Sequence, residues 1–113
     1  MEIINDKISK EELKEMAKNT FGNLVKAVVD TQREVMAVDG ELHSDEEGLL
    51  LKDGSHQKDL WGINIYPDVA DENMIKFDSM INLRPSQNNL TRGVENPRIQ
   101  RKIKEIVNKL IKQ

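Results

Sequence analysis

Residues 24–38, LVKAVVDTQREVMAV, decide the fold class of this chain. Leu24, Val25, Val28 and Val29 fit one face of a helix, so a single long helix competes with two strands. Five valines between Val25 and Val38 argue for strands, because β-branched side chains lose rotamer freedom in a helix and pack well on a pleated surface. The reading is therefore two strands, Leu24–Thr31 and Glu34–Val38, joined around Gln32-Arg33 and followed by a turn at Asp39-Gly40.

The flanks then fall into place. Glu2–Ile4 suits a short opening strand. Ser9 and Glu12 make a capping box, with Ile8 and Leu13 at staple spacing, and Leu13, Met16, Ala17 and Phe21 continue a helix that Gly22 can end. Ser44 and Glu47 have the same capping spacing and predict a second helix to about Lys52, with Gly54 near its C-terminal cap. Leu60–Tyr66 and Met74–Leu83 read as a hairpin. If Tyr66 faces Met74, then Trp61, Ile63 and Ile65 share an apolar face with Ile75, Phe77, Ser79, Ile81 and Leu83. Lys76, Asp78, Asn82 and Arg84 then fall on the other face, beside Gly62 and Asn64. There Gly62 leaves room opposite Asp78, and Arg84 lies near His56. Asn96-Pro97 opens a last helix whose apolar stripe is Ile99, Ile103, Ile106, Val107, Leu110 and Ile111. The order (β)αββαββα predicts a two-layer α+β domain over residues 1–113, a mostly antiparallel sheet of four or five strands with about three helices.

Composition narrows the chemistry. The chain has no cysteine, which excludes thiolate catalysis and Cys-ligated zinc. The charged N-terminus lacks the apolar run of a signal peptide, and no stretch reaches the roughly 20 apolar residues of a membrane helix. A cytoplasmic protein with no membrane association is expected. Net charge is −3, with five acids between Asp39 and Glu47 and six bases between Arg98 and Lys112. An acidic chain is a poor candidate for nucleic acid, which needs a dominant basic surface.

The stretches ELHSDEEGLLL, GSHQKDLWGINIYP and FDSMINLRPSQNN with RGVENP resemble a family of small uncharacterised prokaryotic proteins, a domain of unknown function. The likeness runs from DKISKEELKEMA to EIVNKLI. It implies an intracellular bacterial or archaeal protein and brings no activity with it.

Candidate sites must then come from the residues. Lysines outnumber arginines 12 to 5, yet Arg84 and Arg92 bound a polar segment holding Ser86, Gln87, Asn88 and Gly93. Guanidinium groups recognise carboxylate or phosphate in a bidentate way, and a loop of this length is often functional. The leading expectation is a binding or regulatory domain. Its groove, between the His56 end of the hairpin and the Arg84–Gly93 loop, with Asp78 nearby, takes a small anionic molecule, a nucleotide or an acidic protein segment. No cofactor is predicted. The alternative is a divalent-metal-assisted hydrolase using His43, Asp45 and Glu41, helped by Asp30, with the two arginines as anion clamps. Against it, acids in a helix first turn favour the positive helix end without any metal. A third reading is a structural homo-oligomer or partner-binding protein using the last helix. The two histidines lie in no nucleophile pattern, which favours binding over catalysis.

Overall fold

The valine-rich stretch forms two strands. A computed structural model describes residues 1–112 and places β1 at Glu2–Ile4, β2 at Ile8–Ser9, β3 at Val25–Asp30, β4 at Val35–Val38, β5 at Leu60–Ile65, β6 at Ile75–Lys76 and β7 at Ile111–Lys112. Helices α1, α2 and α3 span Lys10–Asn19, His43–Lys52 and Pro97–Leu110. The main sheet is antiparallel throughout, in the order β1-β4-β3-β5-β6, and β2 pairs with β7 in a small parallel sheet. The fold is α+β.

Alternation along β3 sorts its side chains onto two faces. Val25, Ala27 and Val29 meet Met36, Val38, Trp61, Ile63 and Ile65 in the main core, under α1 and α3. Val28 lies on the other face with Val35, Ala37 and Leu60, and Leu50 of α2 covers them. Helices thus cover both faces, where the sequence suggested one layer of helices. The local reason lies in α2, which buries His43, Glu46 and Leu50 on one side.

That phase also changes how α2 starts. It begins at His43 with Leu42 as N-cap and no side-chain cap, so the Ser44–Glu47 capping box does not form. The first box does form: Ser9 Oγ accepts from the Glu12 amide at 3.0 Å. Helix α1 stops at Asn19, and Phe21 leaves its apolar stripe to stand 44% exposed. Asn96 caps α3 through the Arg98 amide at 2.9 Å, with Pro97 at the first helical position as expected.

Turns are held by specific polar groups. Buried Asp30 accepts from the Gln32 and Arg33 amides at 2.8 and 2.9 Å and from Ser55 Oγ at 2.6 Å. Glu34 closes the same turn at a positive φ of 59°. Its carboxylate takes Lys102 at 3.2 Å and Lys109 at 3.0 Å, which ties α3 to the turn and holds the Glu34 pKa low.

The hairpin has the expected register, with Ile65 opposite Ile75 and the Tyr66 amide donating to the Met74 carbonyl at 2.7 Å. It ends sooner than alternation implies. After Lys76 the chain leaves the ladder and turns through a short 3₁₀ segment at Met80–Asn82. Asn82 then acts as a substitute strand: its Oδ1 accepts from the Gly62 amide at 2.8 Å, and its Nδ2 donates to the Gly62 carbonyl at 3.0 Å. A single side chain satisfies both edge groups of Gly62. The space at Gly62 is filled by Ser79, and Ile81 reaches the α2 face of the sheet.

Candidate functional site

Arg84 is a structural residue in this fold. It is 8% exposed, and its guanidinium lies 4.2 Å from the Trp61 ring centroid. It donates to the carbonyls of Ile81 at 3.1 Å, Gln57 at 2.6 Å and Leu60, and to Gln87 Oε1 at 3.1 Å. Burial lowers its pKa, but the carbonyl cage holds the fork in place. Its donors are directed at the protein, which leaves no free fork for an anion. The expected clamp of Arg84 with Arg92 does not form.

The loop beyond Arg84 is ordered by its own side chains. Arg84 and Asn89 pair across it, Pro85–Gln87 makes a 3₁₀ turn, and Asn88 takes a left-handed φ of 60°. Buried Asn89 donates to the carbonyls of Asn82 at 2.7 Å and Gly93 at 2.8 Å and accepts from the Glu95 amide at 2.9 Å. A Cβ at Gly93 would meet only ordinary contacts at 3.5 Å, so no close approach requires that glycine. Ser86 and His56 are exposed. Gln87 and Asn88 line a separate cleft of about 460 Å³ beside Trp61 and the start of α3.

The metal reading loses its geometry. Among the described residues no three His, Asp or Glu side chains converge, so His43, Asp45 and Glu41 do not assemble. Asp30 is spent on the β3–β4 turn, as above.

Two residues from those separate expectations, His43 and Arg92, meet in one cleft of about 220 Å³ between the start of α2 and the segment after β6. His43 is the first residue of α2, and its Nε2 lies 2.7 Å from the Ile63 carbonyl. A carbonyl only accepts, so Nε2 carries the hydrogen and Nδ1 keeps a lone pair. Burial lowers the His43 pKa despite that carbonyl, and Lys26 pushes it the same way, so the ring is neutral at pH 7.

Lys26 and Asn64 are partners in the β3–β5 register and line the same cleft. The Lys26 ammonium lies 4.8 Å from the Phe21 ring centroid, a use for Phe21 that helical spacing concealed. Asn64 Nδ2 reaches the Asp78 carbonyl only at 3.5 Å, and its buried Oδ1 has no partner among the described residues. Arg92 Nε pairs with Asp78 Oδ1 at 2.8 Å, and neither Nη nitrogen has a hydrogen bond among the described residues. The backbone of Arg92 is fixed, since its carbonyl accepts from the Ser79 amide at 2.9 Å and from Asn82 Nδ2 at 3.0 Å. Leu42, Met80 and Ile81 supply an apolar wall.

Comparison with known families gives a match over nearly the whole chain. A family model described as "Protein of unknown function (DUF5674)" covers residues 2–110. The chain belongs to this family. No curated protein and no solved structure matches it. Among the described residues of this DUF5674 protein, no helix is long and apolar enough to cross a membrane.

Sequence reasoning isolated Asp78 and Arg92 as site residues and reached His43 through a different chemistry. It missed Lys26 and Ser44 as partners in the cleft, because a lysine inside a valine-rich strand and a serine near a helix start have ordinary local explanations. Only the packing of α2 across the sheet brings Lys26 to His43 and Ser44.

Proposed function

We propose that this protein is a small-molecule binding domain whose site is the cleft at His43, and that it takes a small anion. The convergence of Lys26, Arg92, Asn64 and neutral His43 on one cleft carries this reading. Two cations against one carboxylate leave the cleft electropositive, and Arg92 is held on its backbone and oriented by Asp78. A volume of about 220 Å³ is below the roughly 300–1,000 Å³ of drug-sized pockets, which favours a ligand smaller than a nucleotide. Nothing in the set supplies an activated nucleophile, so binding is favoured over catalysis.

The test is amide NMR titration with acetate and with phosphate. Shifts are expected around Lys26, His43, Asn64 and Arg92. Arg92→Ala should weaken binding about tenfold or more, as loss of a charge-assisted hydrogen bond does. Shifts confined to Gln87, Asn88 and the start of α3, or no shifts with either anion, refute the proposal.

A further inference from the structure

The cleft has three kinds of wall, and each suits a different part of a ligand. The cationic side, Lys26 with the Nη atoms of Arg92, suits a planar carboxylate, which a guanidinium grips in two places. The His43 side is an acceptor, because Nε2–H is committed to the Ile63 carbonyl and Nδ1 presents a lone pair. The Asp78 carboxylate beside it is also an acceptor. Asp78 Oδ1 already takes Arg92 Nε, but a ligand that brought only an anion would leave His43 Nδ1 without a donor. The third side is apolar: Leu42 and Met80, 54% and 63% exposed, line it with Ile81.

We infer that the cleft selects a small carboxylate that carries an adjacent hydrogen-bond donor and an apolar substituent, the chemistry of an apolar α-amino or α-hydroxy acid. This inference rests on the anion-binding reading above and deepens it. The carboxylate goes to Lys26 and Arg92, the ammonium or hydroxyl donates to His43 Nδ1 or Asp78, and the side chain lies on Leu42 and Met80. Asn64 Nδ2 adds a donor for the carboxylate, since its contact with the Asp78 carbonyl is long.

A ligand series tests each wall without altering the protein. Leucine and 2-hydroxyisocaproate carry all three features. Isocaproate lacks the donor, leucinamide lacks the carboxylate, and glycine lacks the apolar group. Titrations followed by amide NMR should rank either complete ligand at least about tenfold above each truncated one, with shifts at Lys26, His43, Asn64 and Met80. Comparison of leucine with 2-hydroxyisocaproate tells which donor is preferred, and either preference supports the inference. In Arg92→Ala the advantage of leucine over leucinamide should fall while the fold, checked by its unaltered amide spectrum elsewhere, persists. Isocaproate or glycine binding as tightly as leucine overturns the inference. If acetate and phosphate shift the cleft but leucine binds no tighter than acetate, the anion reading survives and this inference falls. If no anion shifts the cleft, both fall.

Discussion

Replacing Glu46 by glutamine should stabilise this protein at neutral pH and flatten its response to pH. Glu46 lies on the sheet-facing side of α2 and is fully buried. Its Oε2 accepts from the Gly40 amide at 2.9 Å, while Oε1 has no partner among the described residues. Burial pushes its pKa up to about 9 from an ordinary 4.5. The Gly40 hydrogen bond, Lys26 and the N-terminal amine oppose that rise, and Asp39 adds to it. Between pH 4.5 and about 9 the folded protein therefore holds a proton on Glu46 that the unfolded chain has released. Stability is fully present below pH 4.5 and declines as pH rises, because the unfolded state binds fewer protons there. At pH 7 the protein is two and a half pH units above the unfolded value, at about 1.4 kcal/mol each, a penalty of about 3 kcal/mol. Glutamine keeps an oxygen for the Gly40 amide and has no proton to hold. Urea unfolding of both proteins from pH 4.5 to 8 should give near-equal stabilities at the acid end. At pH 7 the variant should be more stable by about 3 kcal/mol, or about 10 °C in melting temperature. A difference between the two proteins that does not grow with pH would refute the reasoning, and so would a variant less stable at pH 7.

Two further substitutions separate structure from site. Arg84→Lys should cost about 2–3 kcal/mol in urea unfolding, since an ammonium cannot reproduce the planar fork that serves four oxygen acceptors, yet acetate affinity should be unchanged. Loss of anion binding with stability intact would restore Arg84 to the site. Gly62→Ala should cost about 1–3 kcal/mol, because a Cβ there falls 2.5 Å from Ser79 Cβ and Oγ. Adding Ser79→Gly should recover part of that loss, and a second substitution that recovers nothing would show that the contact is not the cause.

Local pattern determined much of this protein. Valines at Val25, Val28, Val29, Val35 and Val38 specified strands, Ser9 with Glu12 specified the start of α1, and Asn96-Pro97 specified the start of α3. The Tyr66–Met74 register followed from matching two apolar faces. These are short-range or period-two signals, and the chain carries them explicitly. The fate of Arg84 and the face taken by α2 were settled at longer range. An arginine beside a proline reads the same whether its guanidinium meets an anion or the carbonyls of Gln57 and Leu60, which are far away in sequence. Ser44 looks like a cap until packing against the sheet sets the phase of α2 and draws His43 and Glu46 inward. The His43 cleft likewise joins β3, α2, β5 and the segment around Asp78 and Arg92. Propensity and capping depend on neighbours three or four residues away, whereas a cleft depends on which elements share a face, and only the tertiary packing decides that.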